Sequence, residues 1–210
     1  LQIMSVVAAS ILRPFAGKRS VAEERIKKMG SILERYGANV KTTNFVAGEH
    51  TGCIGLMRSY PDFKTATAAL LKANNDPDGQ EVRNQREADP AGEMIVMREV
   101  GRTIFGEAKW ASNPVSMIRE YAISRADVSK AMPILEGAQK IMDKVEVNVR
   151  VTMPILSPVM GRIRVAYQFK SLDHLGEVLD TTSADSEMQS LIEEANKFAS
   201  LEAASVMVSF

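Results

Sequence analysis

Two stretches of the chain, GCIGLMRSYPDFKTATAAL at 52–70 and GRIRVAYQFKSLDHLGEVL at 161–179, align without a gap at an offset of 109 residues. An internal repeat constrains the fold more than any other feature here, because each copy must be a workable structural unit by itself. The same offset pairs Ser20 with Ser129, Ala22 with Ala131, Ile32 with Ile141, Asn39 with Asn148 and Gln80 with Gln189. Identities are few, so apolar spacing carries the correspondence.

Helical spacing is clearest near the start of each half. Ala22, Ile26, Met29, Leu33 and Tyr36 recur at steps of three and four, and Ala131, Leu135, Ala138, Met142 and Val145 repeat the stripe 109 residues later. Ser20, with Glu23 three residues on, reads as a capping box, and Ser129 holds the equivalent position. Pro133 is then expected in the first turn of the second helix, where its missing N–H costs nothing. Alternating segments follow, ANVKTTNFV at 38–46 and VNVRVTMPI at 147–155, and then a second strand entered from Gly52 or Gly161. Asp62 and Ser171 read as N-caps of a further helix, with Phe63, Ala66 and Leu70 matching Leu172, Leu175 and Leu179 on its inner face. The halves diverge beyond this point. SADSEMQSLIEEANKF carries a helical stripe in Met188, Leu191, Ala195 and Phe198, whereas NDPDGQEVRNQREAD is mostly polar. Each half closes on a short apolar strand, 93–100 and 203–210.

With the opening strands SVVAASIL and PVSMIREYAI, each half reads strand, helix, strand, strand, helix, strand, with one more helical segment before the last strand. That order is an α+β, ferredoxin-like βαββαβ unit, an antiparallel sheet with helices on one face. The bare face must be covered, and two tandem repeats packing their sheets face to face supply that cover within one chain. The expected division is a first repeat over 5–100, a linker over 101–113 with Trp110 as a latch, and a second repeat over 114–210. Met4 followed by Ser5 reads as a natural start.

On these residues and this element order the chain resembles the dimeric α/β-barrel superfamily, and within it the tandem-repeat, NIPSNAP-like and antibiotic-monooxygenase-like members. That superfamily includes cofactor-independent oxygenases, haem-degrading enzymes and chlorite dismutase relatives. The resemblance covers residues 5–210 and rests on element order and apolar spacing. It implies a small or planar ligand in a pocket between sheet and helices, and an intramolecular version of the barrel.

Composition narrows the partners. The 26 basic residues balance 26 acidic ones, so no net field draws the chain to nucleic acid or to an anionic membrane surface. No apolar run has the ~20 residues a membrane helix requires, and the N-terminus lacks a signal-peptide pattern. A lone cysteine, Cys53, forms no internal disulfide and fits a reducing compartment, so the expected location is the cytoplasm. Residues 1–105 carry 15 basic and 12 acidic side chains and residues 106–210 carry 11 and 14, a contrast that favours association of the halves. Homo-oligomerisation is compatible with the fold.

Signatures of metal, nucleotide or triad chemistry are missing, so neither a metal nor a cofactor is expected. Cys53, between glycines in a strand, reads as an inert buried thiol. His50 lies in the loop AGEHTG, where it can reach a pocket mouth as a weak catalytic candidate. His174, three residues after the cap at Ser171, reads as a surface or capping residue rather than a haem ligand. The more informative residues are arginines at the third position of one strand face: Ile54, Leu56, Arg58 and Tyr60; Val115, Met117, Arg119 and Tyr121; Met94, Val96 and Arg98. Arginine in such a place pairs with a carboxylate, snorkels past the strand end, or meets an anionic ligand. Arg58, Arg119, Tyr121 and Tyr167, the last of these the repeat mate of Arg58, are therefore the candidate ligand-binding set, with Arg58 also a catalytic candidate.

Three functions fit. The first is binding of a small acidic or phenolic molecule. The second is a cofactor-independent monooxygenase or isomerase in which arginine stabilises a developing enolate. The third is a structural or oligomerisation protein, which a solid, pocketless interior would favour.

Overall fold

A computed structural model describes residues 5–210; the start expected at Met4 lies outside them. Each half buries one sheet face under helices and turns the other toward its counterpart. The first half comprises β1 (Val6–Pro14), α1 (Arg19–Arg35), β2 (Asn39–Gly48), β3 (Ile54–Tyr60), α2 (Phe63–Asn75), α3 (Pro77–Ala88) and β4 (Gly92–Phe105). The second comprises β5 (Val115–Ile123), α4 (Val128–Asp143), β6 (Asn148–Leu156), β7 (Arg162–Phe169), α5 (Leu172–Thr182), α6 (Ser186–Ala195) and β8 (Ala199–Ser209), with a single 3₁₀ turn before α4. Val115 follows Val6 by 109 residues, as Leu172 follows Phe63 and Ser186 follows Pro77.

The strands close into one barrel in the order β1-β3-β2-β8-β5-β7-β6-β4, all neighbours antiparallel. Two seams join the halves. β2 pairs with β8 from Thr43↔Ser209 to Gly48↔Ser205, and β4 pairs with β6 from Val100↔Leu156 to Phe105↔Val151. The facing sheets are thus hydrogen-bonded at both edges as well as packed, which leaves no open sheet edge to aggregate. The β4 seam also revises the connection between repeats. Residues 101–105 continue β4 because their backbone groups find partners on β6, so the connection proper spans 106–114.

Caps and stripes explain the helices. Asp62 accepts from the Thr65 N–H at 2.7 Å and Ser171 from the His174 N–H at 3.0 Å, as their positions predict. The capping box at Ser20 does not form: α1 begins at Arg19 with no side-chain cap, which puts Ser20 inside the first turn. Pro133 is the sixth residue of α4 rather than part of its first turn, so it removes an interior hydrogen bond, and burial of Ala131, Leu135, Ala138 and Met142 holds the helix in spite of it. On α5, Leu172 and Leu179 are exposed while Leu175 and Val178 are buried, a shift of the inner face by part of a turn. The polar stretch at 77–88 is a helix, held by Pro77 in its first turn and by Asp76, which accepts from the Asp78 N–H at 2.9 Å and the Tyr36 hydroxyl at 2.7 Å.

Candidate functional site

Alternation along β3 sends Ile54, Leu56, Arg58 and Tyr60 to the helix side and Met57 to the lumen. On the helix side of the first half lies a cavity of about 470 Å³, a size typical of small-molecule sites. Its apolar walls come from Met29 and Leu33 of α1, Phe63, Ala66 and Leu70 of α2, and Met94 of β4. Four arginines line it as well, Arg58, Arg83, Arg86 and Arg98, with no aspartate, glutamate or histidine.

Arg58 is the buried member of this set, at 8% exposure. Its Nη2 donates to Ser10 Oγ at 3.1 Å and its Nη1 approaches the Leu56 carbonyl at 3.5 Å; among the described residues no carboxylate pairs with it. Burial pulls its guanidinium below the ordinary arginine value, partly offset by Tyr60, and Arg98 adds repulsion. Burial likewise raises the Tyr60 phenol, so that hydroxyl stays a hydrogen-bond donor. A buried cation whose only partners are a hydroxyl and a carbonyl is costly, and an anion in the cavity removes that cost.

The matching space in the second half is nearly closed, a cavity of about 60 Å³. The difference traces to the polar third helix. Arg83 and Arg86 occupy the repeat positions of Ile192 and Ala195, whose apolar side chains, with Met188 and Leu191, fill the second half. Arg83 instead donates to Asn74 Oδ1 at 2.9 Å, which holds it along the cavity wall. Arg83 and Arg86 were not among the sequence candidates. The signal that marks them is the loss of the apolar stripe at this one place in the repeat.

The remaining candidates fall elsewhere. Arg119 stacks on the Tyr167 ring, 5.7 Å from its centroid, beside a second small cavity of about 90 Å³ under α5 and α6. Burial, with a contribution from Tyr121, pushes the Tyr167 phenol up to about 12. Tyr121 and Tyr167 line the closed second-half cavity, so the structure gathers Arg119, Tyr121 and Tyr167 in one half and leaves Arg58 in the other. The expected face sharing of Met94, Val96 and Arg98 fails, since register shifts between β1 and β4 turn Val96 into the lumen. His50 also faces the lumen, edge-on to Phe45 at 5.4 Å, across the sheet from Arg58. Cys53 is fully buried.

His174 has both ring nitrogens engaged: Nε2–H donates to the Val145 carbonyl at 2.8 Å and Nδ1 accepts from the Lys170 N–H at 3.2 Å. The helix-side cavities are lined by neither histidine nor cysteine. These residues do not fit a haem held through imidazole or thiolate. Among the described residues, no helix is long and apolar enough to cross a membrane.

The geometry defines a class, the dimeric α/β barrel, here closed within one chain, and comparison with solved structures agrees. A protein of Fusobacterium nucleatum carrying a provisional monooxygenase assignment superposes with a TM-score of 0.69 at 8% identity over 100% of this chain and 94% of that one. An anthrone oxidase-like protein gives 0.65 at 10% identity over 100% and 92%. A haem-binding protein of Thermus thermophilus gives 0.56 at 9% identity over 100% and 92%. At such identities the likeness is one of fold. No family model and no curated protein matches the chain.

Proposed function

We propose that the protein binds a small organic acid or phenol in the helix-side cavity of its first half, with the anionic oxygen against Arg58 and the apolar body among Met29, Leu33, Phe63 and Leu70. One observation carries this reading: a buried arginine without a carboxylate partner faces an apolar cavity lined by three further arginines and no acid. A cavity of this size also argues against a purely structural role. Calorimetric titration with 2-naphthoate tests it. Saturable binding is expected, at least ~10-fold weaker in Arg58→Gln; absence of binding, or equal binding by the variant, rejects it.

A second reading builds on the same cavity. An arginine in apolar surroundings favours the phenolate or enolate of a bound substrate, the electron-rich form that dioxygen attacks. Oxidation of an acidic methylene to a carbonyl consumes one O₂ and releases one water, the substrate supplying all the electrons. The anthrone oxidase-like and provisional monooxygenase neighbours support this cofactor-free branch of the fold over an isomerase. Oxygen consumption with a phenolic ketone that carries an acidic methylene, measured on wild type and Arg58→Gln, tests it. The equal spacing of elements further leads us to read the halves as copies of one duplicated unit.

A further inference from the structure

The barrel lumen, on the opposite face of the sheet from Arg58, encloses a cavity of about 210 Å³. Its charges sort into two groups. Toward one end, Arg162 and Arg164 both bind Glu120 at 2.7 Å, and Arg164 also reaches Glu99 at 2.5 Å. Burial works to raise the Glu120 carboxyl, but Arg164 and Arg162 outweigh it and hold the group below the usual carboxylate range. Both lumen carboxylates are thereby engaged. Toward the other end stand two buried cations without a carboxylate among the described residues, Lys41 and Arg150, at 4% and 6% exposure. Lys41 Nζ has only Ser116 Oγ, at 3.0 Å. Arg150 lies over the Trp110 ring at 5.2 Å, and its Nε and Nη1 are buried with no hydrogen-bond partner.

Such an arrangement is unfavourable as it stands. Each cation is desolvated, and each repels the other. Burial, reinforced by Arg150, lowers the Lys41 ammonium to about 8, and burial lowers Arg150 to about 10. An oxyanion between them would turn two uncompensated charges into charge-assisted hydrogen bonds. The adjoining walls are apolar, from Val7, Ala9, Met57 and Met207, and Glu49, which is exposed, lines the mouth.

We propose that the lumen is a second, separate ligand site, for a small anion whose carboxylate or phosphate head sits between Lys41 and Arg150 and whose apolar remainder, if it has one, runs along Val7, Ala9, Met57 and Met207. This site is independent of the Arg58 cavity and stands or falls by itself. Trp110 is the only tryptophan of the chain and lines the lumen, so its fluorescence reports on this site alone.

The test titrates the full chain with sodium hexanoate and, separately, with inorganic phosphate, following Trp110 emission. A saturable change with either probe is expected. Hexanoate alone identifies an organic acid, phosphate alone an inorganic ion, and both together the shared oxyanion chemistry. The response should weaken at least ~10-fold in Arg150→Met and in Lys41→Met and persist in Arg58→Gln. Two variants are used so that one remains informative if the other fails to fold. No saturable change with either probe, or an undiminished one in the folded variants, overturns the proposal.

Discussion

Lys41 shows how a single side chain sets a pH response. Its folded value of about 8 lies below its ordinary 10.5, so between these values the unfolded chain binds the proton that the folded one has released. Stability therefore rises with pH across this window, and the full penalty of the buried ammonium is felt below about 8. Arg150 carries a positive charge beside it throughout, Glu99 and Glu120 are already ionised, and His50 and Glu49 at the mouth are far from their titration in this range. Lys41→Met should remove the rise and stabilise the protein at pH 7 by on the order of 3 kcal/mol, as read by urea unfolding at pH 7, 8.5 and 10. Equal pH slopes for variant and wild type would contradict this. The same logic separates the arginines. Arg58 and Arg150 look alike in sequence, each amid apolar strand residues, and only the pleat assigns one to the helix side and the other to the lumen.

At the scale of elements, the seams between halves depend on two glycines. Gly48, at the end of β2, has φ +89°, and a Cβ there would lie 2.0 Å from the Ala204 carbonyl oxygen of β8. Gly106, just past β4, has φ +66°, and its Cβ would lie 2.1 Å from the Val149 carbonyl oxygen of β6. Both the left-handed backbone and the close approach exclude a side chain. Gly48→Ala should destabilise the protein by at least about 2 kcal/mol in denaturant unfolding, whereas Gly161→Ala, with nothing near its Cβ, should be nearly neutral. Polar α3 is the other decisive element. Arg83→Ile together with Arg86→Ala transplants the α6 residues onto it, and should shrink the first-half cavity and weaken 2-naphthoate binding more than ~10-fold without loss of thermal stability. Calorimetry beside a melting curve checks both parts.

The whole molecule is a closed barrel whose lumen exists only when both halves are present. Residues 1–105 alone would expose the lumen face, the Lys41 ammonium and two unpaired strand edges, β2 and β4. Expressed alone, this half is expected to self-associate or aggregate in sedimentation velocity; a folded, monodisperse monomer would contradict the account.

Helix stripes, the strand pairs, the caps at Asp62 and Ser171 and the repeat itself were legible because they are local, depending on spacing within a few turns or on one offset. Arg58 was legible for the same reason, as a charge breaking an apolar alternation, and the polar run at 77–88 marked where the halves differ. The capping of α1, the extension of β4 through Phe105 and the turning of Val96 into the lumen were not, since each depends on what a partner strand or loop offers to the backbone. The lumen cations escaped notice too, because Lys41 and Arg150 lie far apart in sequence and meet only across the closed barrel. Sequence alone determined two sheets, each needing cover; tertiary closure decided which face of each strand became lumen, and hence where uncompensated charge collects. Side-chain period is a property of one strand, whereas a charge is unpaired only relative to everything the fold brings near it.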